Sequence, residues 1–391
     1  MTAALAPAFP GAVVGAVEVG DVADGTNGRA RVRLRYASGQ GPERVFVKRE
    51  GRMLNRLALT ALGAREAEAR LVGSGAKLPL EHPAFYAAAV DRRRLAAVMV
   101  MEDVTLRAGR ANEATVALGV EQVRSGLRGL ARLHAAYWGR PLPGSLAFVR
   151  PWRLGPVWAP VSWASLARAL HLLRSAGHGR LIPVGVDAGV VERGFRGWAK
   201  VAASGPRTLL HGDPHVGNTY ALPGEVTGFY DWQLVRSGNW SHDVGYFLVS
   251  SLAIDDRRAY EQDLLRDYLD ELGRRGAAAP SFAEAWELYR RTPVFGLGTW
   301  LHTLSGGGFQ PVDVCLATIE RFASAYADHE GTRARTPERP RAWSRDGAPG
   351  PEAREAGRSV PDQAGRGRAR DDARDDTRDD ARGDAGTRTG A

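Results

Sequence analysis

The hydrophobic and polar positions of the first hundred residues alternate as strands do. RVRLRY (31–36) places basic and apolar residues in strict turn, the period of a strand with one face buried. ASGQGPE then reads as a turn and RVFVK (44–48) as a second strand, which makes a hairpin. Upstream, VEVGDVADGTNGRA (17–30) reads as a strand entering a glycine-containing loop. The Ala, Leu, Glu and Arg of 57–75 predict a helix ending at Gly73 and Gly75. RRRLAAVMVMEDV (92–104) predicts a buried strand that ends in acids. The order is strand, strand, helix, strand. After residue 105 the period lengthens. Val116, Val120, Val123, Leu127, Leu130, His134 and Tyr137 fall at helical spacing over about six turns. His134 lies on that apolar face and reads as a packed histidine. Residues 139–165 are irregular, with Trp152, Trp158 and Trp163 set among prolines. Helices are expected around 163–175, 187–203, 241–274 and 281–330, with short apolar strands at 207–210 and 225–233.

With 391 residues, 44% of them hydrophobic, the chain is long enough for two domains or one large bilobal unit. Its single cysteine, Cys315, excludes a disulfide framework and argues against a cysteine-built zinc cluster. It sits in a helical stretch and reads as buried and inert. The N-terminus lacks a basic signal-peptide region, and the longest apolar runs are far shorter than a bilayer span. A cytoplasmic protein without membrane insertion is expected. From about residue 332 the composition changes to an Arg- and Asp-rich tail ending in repeats such as RDDARDDTRDD, with too little apolar surface to offset ordering. The formal charge is +9, of which the tail carries +2. A basic body can steer anions such as nucleotides. No clustering of aromatics among basic residues suggests nucleic acid as a partner.

The chemistry concentrates in LLHGDPHVGNTY (209–220). On an extended segment, His211, Asp213 and His215 share one face, and three such ligands could hold a zinc ion with an open position for water. Against that stand Pro214 and Gly217, which break a regular strand, and the lack of partner histidines beyond His242. The other reading starts from spacing. Asp213 precedes Asn218 by five residues, and Asp231, in FYDWQ, follows eighteen later. Protein kinases place a base Asp five residues before a magnesium-binding Asn, with a later Asp on the metal. Phosphoryl transfer needs charge neutralised on the transferred group and a hydroxyl held in line, and hard oxygen donors suit Mg²⁺. Lys48 ends an apolar strand, where its ammonium can reach phosphates. Glu68, twenty residues on, can hold it in place. MVMED (99–103) reads as the strand into an inter-lobe hinge, with Glu102 and Asp103 placed to cap it or to contact a ribose.

The chain resembles the aminoglycoside-phosphotransferase-like small-molecule kinases, and within them the ecdysteroid-kinase-like (CHK kinase-like) branch. The resemblance rests on VFVK, EARLV, VMED, LARLHAAYW, LLHGDPHVGN, FYDWQ and HDVGYFL, which together span roughly residues 15–325. It implies an α+β, protein-kinase-like bilobal fold. A β-rich N-lobe (11–104) would bind nucleotide, and a mostly helical C-lobe (105–330) would hold the catalytic loop and acceptor pocket, followed by the tail (331–391). It implies ATP and Mg²⁺ as cofactors and a small-molecule hydroxyl as the phosphate acceptor. By position, Asp213 would be the catalytic base and Asn218 and Asp231 the metal ligands. Lys48, Glu68 and Glu102 would serve the nucleotide, with Gly25 and Gly28 as candidates over the phosphates. His211 and Asp243 would support the loop. HGD stands where protein kinases have HRD, so the arginine that reads an activation-loop phosphate is missing. The glycine loop departs from G-x-G-x-x-G, and Leu71-Val72 replace an aromatic pair. A nucleotide-binding scaffold without catalysis is the non-enzymatic alternative. The insert 138–163 points to a bulky, partly apolar acceptor.

Overall fold

A computed structural model of the chain describes residues 1–24, 27–50, 66–91, 93, 96–153 and 158–333. It opens with a short helix α1 (Thr2–Leu5), followed by strands β1 (Val13–Asp24), β2 (Asn27–Ser38) and β3 (Arg44–Glu50), helix α2 (Ala67–Gly73) and strands β4 (Phe85–Asp91) and β5 (Ala96–Glu102). The strands form one antiparallel sheet in the order β1-β2-β3-β5-β4. The alternation in RVRLRY sets its faces. Val32 and Leu34 turn inward with Val45 and Val100, and Leu5 of α1 covers them. The sheet's core therefore includes residues before 11. On the opposite face, Ala69 and Val72 of α2 pack on Ala97, Met99 and Met101. The hairpin expected from 31–36 and 44–48 is present, with Arg33 opposite Arg44 and Arg29 opposite Lys48. Strand β4 was not legible, because its YAAAV run lacks alternation and the three alanines at its centre are weak strand formers. Most of the helix expected at 57–75 lies outside the described residues.

The rest is helical: α3 (Val120–Tyr137), α4 (Trp158–Ser175), α5 (Ala188–Ala202), α6 (Ser241–Ser251), α7 (Ile254–Arg274), α8 (Phe282–Tyr289), α9 (Pro293–Gly306) and α10 (Val312–Arg333). The helical pattern from Val116 begins later than the periodicity suggested. Gly119 is the N-cap, its N–H donating to the Gln122 side chain, and Val116 is exposed at 54%. The helical stretches expected at 241–274 and 281–330 are present as several helices, the first divided at Leu252 and Ala253 and the second after Tyr289 and Gly306. Apart from its first residues, which complete α10, the tail lies outside the described residues.

Two small sheets lie between the helices. β8 (Thr208–Leu210) pairs with β11 (Arg236–Gly238), which also pairs with β7 (Arg150–Pro151). β9 (Thr219–Leu222) pairs with β10 (Val226–Phe229) and with β6 (Arg110–Ala111). The strands predicted at 207–210 and 225–233 are therefore not partners. Each belongs to its own sheet, and each leads within three residues to a different acid, Asp213 or Asp231. The main core joins α3, α4, α5, α6, α7, α9 and α10 around residues such as Leu127, Trp198, Phe247 and Phe322. Trp152 and Trp240 belong to it, Trp152 edge-on to Trp198 and Trp240 stacked on Tyr268. Trp163 is exposed. Cys315 is buried, and burial pushes its thiol up to about 11. No helix among the described residues is long and apolar enough to cross a membrane.

Candidate active site

Strand β8 delivers His211–Asn218 as a loop, and the tertiary structure fixes its path. Gly212 has φ +87°, and a Cβ there would collide with the Leu234 carbonyl. Only glycine combines that left-handed backbone with such close approach. Beneath the loop lies Asp243, fully buried near the start of α6. Its Oδ2 accepts the His211 N–H at 2.7 Å and its Oδ1 the Gly212 N–H at 3.0 Å. His134 Nε2 approaches the same carboxylate at 3.3 Å, while its Nδ1 meets the Tyr268 hydroxyl at 2.8 Å. Burial would raise the Asp243 carboxyl, but His134, followed by His242 and His211, outweighs burial and holds it below the usual range. His134, read from the sequence as a packed histidine, is packed and also anchors Asp243. Its helical spacing carried no sign of that bond.

Both nitrogens of His211 are engaged with backbone. Nδ1 accepts the Asp213 N–H at 3.3 Å, so Nε2 carries the proton it donates to the Tyr230 carbonyl at 3.1 Å. His215 Nδ1 accepts the Gly217 N–H at 3.1 Å, and burial lowers this imidazole to about 4. A zinc site on His211, Asp213 and His215 would need a free His211 lone pair, and none is left. Among the described residues no group of three or more His, Cys, Asp or Glu side chains is arranged to hold a metal ion in that way.

Asp213 keeps 28% of its side chain exposed. Asn218 Nδ2 donates to the Asp213 backbone carbonyl at 2.9 Å and to its Oδ2 at 3.2 Å. This orients the Asn218 amide and leaves its carbonyl oxygen as a hard donor. The Tyr246 hydroxyl lies beside the Asp213 carboxylate. Burial, and then the charge of Asp231, raise the Asp213 carboxyl well above its ordinary value.

Asp231 follows β10 and adopts a left-handed backbone, φ 66° and ψ 64°. Aspartate tolerates this region better than most residues, at a cost in strain that commonly marks functional positions. Its Oδ1 lies 2.7 Å from Lys48 Nζ and its Oδ2 3.4 Å from Arg29 Nη2. Burial opposes ionisation of Asp231, but Lys48 and then Arg29 hold the carboxyl below its ordinary value. Lys48 is also paired with Glu68 Oε2 at 2.6 Å. Glu68 Oε1 accepts the Trp232 N–H at 3.1 Å, so one buried glutamate ties α2 to Lys48 and to the turn after Asp231.

The structure thus brings together Asp213, Asn218, Asp231, Lys48 and Glu68, with His211 and Asp243 beneath them. Other expected residues stand differently. Gly28 lies in β2 opposite Asp24 and Arg49, and a Cβ there would crowd the Arg49 side chain. Gly25 lies outside the described residues. The Glu102 carboxylate is bound by Arg107 at 2.6 and 3.0 Å and by the Ala84 N–H at 3.0 Å. Its side chain is committed within the hinge, which leaves the backbone of this segment to meet a ligand. Asp103 caps the following turn through Thr105. Sequence reasoning passed over Arg29 and Tyr246. Arg29 could have been found by counting register back from the 39–43 turn; Tyr246 carried no local signal.

A sheet-bound lysine held by a helix glutamate, facing an Asp-x4-Asn loop and a second strand-end aspartate, defines the kinase-type phosphotransfer fold. The phosphotransferase enzyme (APH) family model matches residues 32–280, and the chain belongs to that family. It is a small-molecule kinase by that membership. No curated protein matches the sequence. Among solved structures, it is similar to an ethanolamine kinase of Plasmodium vivax (13% identity, TM-score 0.47, covering 79% of this chain and 81% of that one). It is also similar to choline kinase LicA of Streptococcus pneumoniae (13% identity, TM-score 0.45, 84% and 97% covered). A third is the aminoglycoside phosphotransferase APH(3'')-Id of Streptomyces rimosus (13% identity, TM-score 0.40, 70% and 91% covered).

Proposed function

We propose that the protein transfers the γ-phosphoryl group of ATP to a hydroxyl of a small molecule. The observation that carries this reading is the buried Lys48–Glu68 pair meeting Asp231 at 2.7 Å, with Glu68 also bonded to the Trp232 N–H beside it. Residues 11–104, with the leading helix, form the nucleotide lobe, and 105–330 the acceptor lobe.

Asp213 receives the acceptor hydroxyl's proton or orients that hydroxyl for attack. Its raised pKa makes it a better base near neutral pH than an ordinary carboxylate. Lys48 contacts the phosphates and is kept in position by Glu68. The Asn218 carbonyl oxygen and the Asp231 carboxylate are oxygen donors of the kind magnesium takes, and they would hold it. When bound, the ion neutralises charge on the transferring phosphates. Asp243 and His134 keep the loop from relaxing away from the acceptor.

The acceptor we favour is a bulky, partly apolar alcohol. The shortage of spare acids beside Asp213 among the described residues supports this. The carboxylates acting on Asp213 are Asp231 and Asp243, and both already have cationic or N–H partners. A polycationic acceptor would need more. A screen of ATP consumption over hydroxylated small molecules tests the proposal, with Asp231→Ala as control. If no acceptor is phosphorylated while nucleotide binds, the catalytic reading fails.

A further inference from the structure

Lys48 shares its sheet face with a second cation. Arg29 of β2 is its direct cross-strand neighbour, so both side chains leave the same face of the sheet. Both end at Asp231, one on each carboxylate oxygen. The two cations are held unequally. Lys48 is 4% exposed and bonded at 2.6 and 2.7 Å to two carboxylates. Arg29 is 39% exposed and, among the described residues, makes one longer contact at 3.4 Å. Two positive groups balance Glu68 and Asp231. A metal ion on Asp231 would bring further positive charge to the carboxylate that Arg29 faces. A triphosphate would bring several negative charges alongside. The loosely held, solvent-accessible cation is the one free to change partners, and a planar guanidinium matches phosphate oxygens in two-pronged fashion.

We propose that Arg29 is a phosphate-binding residue: it exchanges its contact with Asp231 for the β- and γ-phosphates of a bound nucleoside triphosphate. This rests on the reading of Asp231 and Lys48 as the nucleotide site. Arg29 then confers discrimination between triphosphate and monophosphate, and gives the phosphate-covering hairpin a charged contact in place of the missing G-x-G-x-x-G pattern.

The test is calorimetric binding of ATP and of AMP, each with magnesium, to the wild type, Arg29→Ala and Arg29→Lys. Arg29→Ala should weaken ATP roughly tenfold to a hundredfold, the range for losing a charge-assisted hydrogen bond, and leave AMP within about twofold. Arg29→Lys should recover part of the ATP affinity. The steady-state KM for ATP should rise in step with the binding loss. Arg29→Gln, which keeps a polar side chain on the strand, should reproduce the alanine result at an unchanged melting temperature. Unchanged ATP affinity, or equal weakening of ATP and AMP, would mean that Arg29 only braces Asp231, and overturns the proposal. A wild type that binds AMP but not ATP overturns it too. Failure of the wild type to bind any nucleotide would overturn the phosphotransfer reading along with it.

Discussion

Asp213 is the residue on which chemistry and stability oppose each other. Its carboxyl binds a proton more tightly in the folded chain than in the unfolded one, because burial and Asp231 both disfavour its charge. Folding is therefore penalised as pH rises from the ordinary carboxylate range through the raised folded value. Asp213→Asn removes that penalty. It should lower kcat by roughly 10²- to 10⁴-fold with little change in KM for ATP. At pH 7 its melting temperature should equal or exceed the wild type's, as seen by calorimetry. The rate of the wild type should fall on the acid side at a pH above the ordinary carboxylate value, since the base must be ionised. A profile whose acid limb lies near pH 4, or an Asn variant with full activity, would remove Asp213 from the role of base.

At the scale of elements, the loop after β8 is held by contacts that local sequence cannot supply. Gly212→Ala would place a side chain against the Leu234 carbonyl in a left-handed backbone. A loss of at least roughly 2 kcal/mol in urea unfolding is expected, together with loss of activity. Asp243 has the opposite sign to Asp213. Its folded pKa lies below the unfolded value, so its stabilisation is present above about pH 3.9 and is lost as pH falls through the depressed folded value. Asp243→Asn should cost roughly 1.5–3 kcal/mol at pH 7, with the difference from wild type shrinking as the pH falls below 4. Chemical unfolding at pH 7 and at pH 3 checks both statements. Glu68 joins α2 to Lys48 and Trp232. Glu68→Ala should destabilise by roughly 1–3 kcal/mol, because it strips one of two carboxylate partners from Lys48 and the bond that the Trp232 N–H makes among the described residues.

For the molecule as a whole, the site exists only where the sheet and the helical region face each other. Lys48, Glu68 and Arg29 come from one side and Asp231 from the other. Arg107 bonds Glu102 of β5 and Glu81, and Tyr220 of β9 bonds the same Glu81. This chain of bonds pins the pivot between the two regions. Ligand that bridges them should stabilise the entire fold. Magnesium with ATP at about a hundred times its Kd should add roughly 2.7 kcal/mol, read as a rise in melting temperature. Asp231→Ala should abolish that rise while leaving a folded protein; an undiminished shift would show that nucleotide binds without Asp231.

The sequence by itself determined the strands whose faces differ and the loop whose spacing is chemical. RVRLRY and RVFVK gave their hairpin because alternation is a local property of a half-buried strand. Asp213 and Asn218 were legible because five residues of one loop must stay close whatever surrounds them. Lys48, Glu68 and Asp231 were legible only through their resemblance to a known pattern, since nothing local draws together groups 20 and 183 residues apart. Other features were decided by tertiary structure alone. β4 pairs along β5 although three alanines at its centre are weak strand formers. The helix pattern from Val116 yields to a loop whose backbone bonds Thr219 and Ser251, and to the Gly119 cap. Glu102 turns to Arg107 because that guanidinium lies within reach across the hinge. His134 meets Asp243, and Arg29 meets Asp231, across 109 and 202 residues. Periodicity reports which face of an element is buried; which charged group waits on the other side of that face is settled only when the chain closes on itself.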